Sequence, residues 1–88
     1  MTTAFTPHGW EDYVYWQQND PETILKINNL IKDIQRDPFK GLGKPEPLRG
    51  NLSGYWSRRI GDEHRLVYSI HGNKPRQVLT IIQARFHY

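Results

Sequence analysis

Residues 44–65 read KPEPLRGNLSGYWSRRIGDEHR, and the architecture follows from how this stretch is parsed. Its first part holds Pro45, Pro47, Gly50 and Gly54 and shows no helical periodicity; from Tyr55 onward the pattern becomes that of strands. Tyr55 to Ile60 reads as one strand, Gly61 and Asp62 as a turn, and Arg65 to Ile70 as the next strand. After a turn across Gly72 to Pro75, the apolar run Val78 to Ala84 completes an antiparallel meander of three consecutive strands. Strand side chains alternate between faces, so Leu66, Tyr68 and Ile70 are expected to pack on helices while Arg65, Val67 and Ser69 point away. Glu63 falls in step with Arg65 if the pleat begins early enough. The last strand is apolar on both sides, as a central or well-covered strand would be.

Working outward, the N-terminal half supplies the helices. Thr6 followed by Pro7 is an N-cap with proline at the first helical position, where a missing N–H costs nothing. Trp10, Tyr13 and Val14, with Gln17, then recur at helical spacing, which predicts an aromatic core face with Glu11 and Asp12 opposite. Asp20 and Pro21 repeat the start signal, and Ile24, Ile27, Leu30, Ile31 and Ile34 form an apolar stripe; Lys26, Lys32, Asp33 and Arg36 fall on its polar side. Asp37 and Pro38 end this second helix, and the short break between the two predicts an antiparallel hairpin. Thr2 to Phe5 reads as a weakly patterned edge strand. The expected fold is therefore α+β: one domain over residues 1–88, with two N-terminal helices packed on a twisted antiparallel β-sheet.

At 88 residues the chain can bury one small core but not an elaborate cofactor cleft, so an active surface is expected and not a deep pocket. With no cysteine there is no disulfide framework and no thiolate metal site. No N-terminal apolar run resembles a signal peptide or a membrane span, which makes a cytoplasmic protein with no membrane association the expectation. The net charge of +3 is unevenly spread. Residues 1–39 carry three Lys/Arg and six Asp/Glu, whereas residues 40–88 carry nine and three, so the C-terminal half is suited to a polyanion or an acidic partner.

Several chemistries find no support. The histidines at 8, 64, 71 and 87 are scattered without metal-ligand spacing, no glycine-rich phosphate loop opens a helix, and no serine triad is evident. What remains is a carboxylate (Glu46, or with it Glu63), two arginines (Arg59 and Arg65), His87 and Tyr88. RNA carries its own nucleophile, the 2′-hydroxyl. Its cleavage needs a base, cations for the extra negative charge at phosphorus and an acid for the leaving 5′-oxygen, and this set suits such metal-free work. Each residue also has a commonplace reading: Glu46 as a loop acid between two stiffening prolines, Arg65 as a solvated strand residue, His87 and Tyr88 as a packed or frayed tail.

At Lys44-Pro45-Glu46-Pro47-Leu48, Asn51 through Ile60 and Glu63-His64-Arg65-Leu66-Val67-Tyr68, the sequence resembles the YoeB (Txe/YoeB) toxins of bacterial toxin–antitoxin systems, members of the RelE superfamily. The likeness extends to Trp10 through Trp16, Ile27 through Asp33 and Phe86-His87-Tyr88. It implies a microbial-RNase-like fold and a ribosome-dependent endonuclease that cuts mRNA in the A site of the 70S ribosome without a cofactor. Carried over by position, it implies Glu46 as general base, His87 as general acid and Arg65 as the phosphate-stabilising group, with Lys44, Arg59, Glu63 and Tyr88 lining the site. A YefM-type antitoxin and a homodimer are the implied protein partners. The sequence departs from the family in a less apolar first segment and a longer turn at Gly72 to Gln77. Two rivals stand beside this reading: a non-catalytic toxin of the same fold acting on DNA gyrase, as the ParE toxins do, and a basic module that only binds nucleic acid.

Overall fold

The computed structural model describes residues 1–86. Along the chain run β1 (Thr2–Phe5), α1 (Pro7–Asn19), α2 (Pro21–Arg36), β2 (Glu46–Pro47), a short 3-10 turn at Gly50–Leu52, β3 (Trp56–Arg59), β4 (Arg65–His71) and β5 (Val78–Gln83). Both helix starts obey the capping chemistry. Thr6 Oγ1 accepts the Gly9 N–H at 3.0 Å, and Asp20 accepts from the Thr23 N–H at 3.2 Å and the Thr23 hydroxyl at 2.8 Å, bonds that hold the Asp20 carboxyl below its ordinary range. Only Asp20 separates the helices, and Tyr13 Oη donates to Asn28 Oδ1 at 2.7 Å across the pair.

The strands form one sheet in the order β1-β5-β4-β3-β2. The meander of β3, β4 and β5 is antiparallel as expected, and β5 lies inside the sheet between β1 and β4. The sheet is nevertheless mixed, because β1 joins β5 in parallel, Thr2 opposite Val78 through Phe5 opposite Ile81. That direction brings Thr6 to the carbonyls of β5: its N–H donates to Ile81 O at 3.0 Å, and its hydroxyl lies 3.3 Å from Ile82 O. Val67 opposes Gln83 while Tyr68 opposes Ile81, so Ile82 is the extra residue of a β-bulge. α1 presses close to this point; a Cβ on Gly9 would lie 2.3 Å from Ile81 O, so only glycine fits.

Ile27, Leu30 and Ile34 of α2 and Trp16 of α1 close over Leu66, Tyr68, Leu79, Ile81 and Ala84. The alternation read from β4 holds, with Ile70 packed against the same cluster. On α1 the expected division of faces does not: Asp12 is buried and Trp10 is half exposed, edge-on to Phe5 and stacked on Tyr13. Asp12 is drawn inward because it accepts the Ala84 N–H at 2.9 Å, a donor that the ladder leaves unpaired. Among the described residues no helix is long and apolar enough to cross a membrane.

Candidate functional site

Arg58, Asp33 and the loop after α2 position the site from beneath. Arg58 is fully buried, and all five of its N–H donors have an acceptor. Nη1 donates to Asp33 Oδ2 at 2.6 Å and Leu42 O at 3.1 Å, Nη2 to Asp37 O at 2.7 Å and Lys40 O at 3.3 Å, and Nε to the Tyr68 hydroxyl at 3.2 Å. The Tyr68 hydroxyl in turn donates to Pro38 O at 2.6 Å, and burial pushes its pKa up. Asp33 also accepts the Leu42 N–H at 2.8 Å and Arg36 Nε at 2.9 Å; these bonds and the one from Arg58 hold its carboxyl far below the ordinary aspartate value. The sequence puts Asp33 on the polar side of the second helix and Arg58 in a charged hairpin, and marks neither as buried. Both are corrected here: the carbonyls of Asp37, Lys40 and Leu42 turn inward and are met by the planar fork of Arg58, with Arg36 Nη2 also 3.5 Å from Lys40 O.

The wrapped loop delivers residues 43–47 to the edge of the sheet. Gly43 O accepts the Arg59 N–H at 2.7 Å, and Gly43, at φ +77°, has no room for a side chain against Arg59 O. Lys44 follows at φ 52°, a left-handed conformation uncommon for a lysine and found disproportionately at functional sites. Glu46 is thus not simply a loop acid. It lies on the edge strand β2, opposite Ser57 of β3.

Register then fixes which side chains share a face. Glu46 opposes Ser57, Ser57 opposes Val67 and Val67 opposes Gln83, forming one lateral row on the side away from the helices. Two residues along the same face, Arg59 stands directly opposite Arg65. Like charges so placed repel, a cost of roughly 0.2–1 kcal/mol that an anion between them would reverse. Ser57 and Val67 are buried and make a floor; Glu46, Arg59 and Lys44 are exposed around it. Arg65 is half-buried, and among the described residues its side chain bonds through Nη1, to Gly61 O at 3.0 Å, Asp62 O at 3.4 Å and His64 O at 3.1 Å.

The structure therefore brings Lys44, Glu46, Arg59 and Arg65 to one region of the outer face. Glu63 does not join the pleat as the sequence reading allowed. β4 begins only at Arg65, and Glu63 sits exposed in the preceding bend, which the Ile60 N–H closes onto His64 O at 3.0 Å. His87 and Tyr88 lie outside the described residues. The chain leading to them passes the site, since Phe86 O accepts the Arg65 N–H at 3.1 Å. Sequence reasoning missed the side chains that hold this segment, namely Asp12, Trp16, His64 and Gln83. The i, i+4 spacing of Asp12 and Trp16 was the available signal, because it puts a carboxylate and an indole N–H on one helix face. Among the described residues no group of three or more His, Asp or Glu could hold a metal ion.

Comparison with known proteins bears on this arrangement. Residues 5–88 match the family model for the YoeB-like toxin of bacterial type II toxin–antitoxin systems. The chain is 62% identical to Toxin YoeB of Streptomyces coelicolor over the whole of both chains. A solved YoeB/ParE toxin from Agrobacterium tumefaciens superposes with a TM-score of 0.95 at 52% identity, covering all of both chains. The YoeB–YefM complex from Staphylococcus aureus gives a TM-score of 0.88 at 45% identity, over all of this chain and 98% of that one.

Proposed function

Since the chain belongs to the YoeB toxins of bacterial type II toxin–antitoxin systems, we propose that it is an endoribonuclease that cleaves mRNA in the ribosomal A site without a metal or cofactor. The observation that carries this reading is the convergence of Glu46 with Arg59 and Arg65 on the sheet face away from the helices. A module that only bound nucleic acid would gain nothing from a carboxylate set among cations that face phosphate.

In the proposed reaction Glu46 takes the proton of the RNA 2′-hydroxyl, whose oxygen attacks the adjacent phosphorus. Arg65, whose Nη1 is occupied by the hairpin carbonyls, presents its Nε and Nη2 edge to a phosphate oxygen, and Arg59 opposite adds a second positive charge. One preorganised donor of this kind is worth roughly 2.7–4 kcal/mol in the transition state. His87 gives a proton to the leaving 5′-oxygen. The bond from phosphorus to that oxygen breaks, leaving a 2′,3′-cyclic phosphate, or the 3′-phosphate formed from it, and a 5′-hydroxyl end. Lys44, Glu63 and Tyr88 are assigned to positioning RNA or the catalytic groups.

The same reading places the protein in the cytoplasm as a single toxin unit spanning residues 1–88, with a YefM-type antitoxin as its inhibitor and a homodimer as its own assembly. It draws support from the S. aureus relatives, solved as a YoeB–YefM complex and as a YoeB dimer. The test is to add purified protein to bacterial ribosomes programmed with a defined mRNA and to map the ends produced. Cuts within the A-site codon, bearing the predicted termini, are expected. Growth arrest with intact mRNA would overturn the reading and make gyrase the next target to examine.

A further inference from the structure

The segment from Ala84 to Phe86 lies beyond the last ladder pair of β5, yet side chains from three parts of the molecule hold its backbone. Asp12 accepts the Ala84 N–H at 2.9 Å, and the Trp16 indole donates to Ala84 O at 2.8 Å, so α1 holds the peptide groups on both sides of Ala84. Gln83 Nε2 donates to Arg85 O at 2.9 Å and lies 3.3 Å from Phe86 O. The Phe86 N–H donates to His64 Nδ1 at 2.8 Å, and Phe86 O accepts from the Arg65 N–H. Phe86 itself is at φ 64°. A non-glycine residue there costs on the order of 1–3 kcal/mol and persists only where its surroundings impose it.

Resting on the ribonuclease reading above, we infer that His64 is a positioning residue for cleavage: its imidazole fixes the turn at Phe86 from which the chain passes to position 87, the proposed acid. A backbone N–H can only donate, so Nδ1 is unprotonated and the ring is the neutral tautomer carrying its proton on Nε2. The ring is held edge-on to Trp16, with centroids 4.9 Å apart and planes at 78°, and lies 5.7 Å from the Phe86 ring. It thus links α1, the start of β4 and the exit of the chain. Arg85 strengthens the hold, its guanidinium sitting 3.5 Å from the centroid of the Tyr15 ring. None of these side chains needs to touch RNA. Their effect would pass through the placement of the acid, where a misplacement near 1 Å can lower a rate by about 10²-fold.

Two substitutions separate the hydrogen bond from the packing. His64→Phe keeps a flat ring against Trp16 and loses the acceptor; His64→Asn keeps an acceptor atom at similar reach and loses the ring. In single-turnover cleavage on programmed ribosomes, His64→Phe is expected to cut at least about tenfold more slowly at saturation, with half-saturation within about twofold of wild type. His64→Asn should return to within about threefold of the wild-type rate. Hydrogen exchange at the Phe86 amide provides a reading free of activity: slow in wild type and His64→Asn, fast in His64→Phe. The inference is overturned if His64→Phe cuts at the wild-type rate, if both variants lose rate alike, if the loss lies in half-saturation, or if the wild-type Phe86 amide is unprotected. A wild type that cuts no mRNA overturns the ribonuclease reading instead, and the exchange measurement still decides whether His64 holds Phe86.

Discussion

Arg58 and Arg59 are neighbours on β3, and the pleat sends them to opposite faces with opposite fates. Arg58 points to the helix side, where five acceptors satisfy its five donors and Asp33 balances its charge. Arg59 is exposed on the other face, directly across from the like charge of Arg65. One arginine is consumed by the fold; the other stands exposed beside a like charge. The difference gives a criterion for reading basic clusters: a cation serving structure has its donors filled by the protein, whereas one serving function faces a partner the protein does not provide.

The largest effects should come from the outer face and appear in rate, not stability. Glu46→Ala and His87→Ala are each expected to slow A-site cleavage by roughly 10²–10⁴-fold, the usual contribution of a positioned base or acid. Arg65→Ala should cost about 10²–10³-fold. Melting temperatures should remain near that of wild type. Full cleavage by a folded Glu46→Ala protein would remove the catalytic side of the contrast and favour a binding module.

Arg58→Ala should reverse the pattern. Removing one partner of a buried ion pair leaves Asp33 uncompensated and typically destabilises by about 3–5 kcal/mol. For a domain of this size that corresponds to a fall in Tm of more than about 10 °C. Arg58→Lys is not expected to rescue, because an ammonium cannot reach acceptors arranged around a planar fork. Thermal denaturation of both variants checks this, and an unshifted Tm would show that the loop of residues 37–42 does not depend on Arg58.

A smaller signature lies in acid. The carboxyl of Asp33 is lowered by the Leu42 amide, Arg36 and Arg58. A group depressed in the folded state contributes stability that is complete above its unfolded value, and here that value is the ordinary 3.8. As pH falls below it the unfolded chain takes up the proton first, and stability declines until the folded carboxyl is itself protonated. Denaturant titrations between neutral pH and acid should show this slope in wild type and a shallower one in Asp33→Asn. Equal slopes would mean that Asp33 does not carry the linkage. The smallest effect is expected from Arg59→Gln, which relieves the like-charge pair: stability unchanged or raised by roughly 0.2–1 kcal/mol, with cleavage reduced. A loss of stability there would mean that Arg59, too, serves the fold.

Much of this was legible in the sequence because it rests on local rules. The two proline-led helix starts, the alternation of Leu66, Tyr68 and Ile70, and the covered, interior place of β5 all follow from short-range periodicity and capping. Glu46, Arg59 and Arg65 were singled out by their chemistry, and register brought them to one face. What could not be read depends on contacts between distant residues. Nothing near Arg58 in sequence reveals that carbonyls sixteen to twenty-one residues upstream turn toward it. Asp12 looks like any helix-surface acid until Ala84, seventy-two residues on, supplies its donor. The parallel placement of β1 was equally silent, since a four-residue strand carries no mark of direction.

The extra residue at Ile82 has a consequence for how the chain's far end is addressed. Alternation along a strand is a matter of parity, and one inserted residue exchanges odd for even from that point on. Without it Gln83 would fall in line with Leu79 and Ile81 on the helix side, and Ala84 would face outward. With it, Gln83 shares the row of Glu46 and Ala84 closes the core. Thr6 and Gly9, by seating the bulge against the start of α1, act as a phase lock on residues more than seventy positions away. A one-residue deletion near Ile82 would therefore do more than shorten a strand. It would interchange the inside and outside addresses of everything that follows.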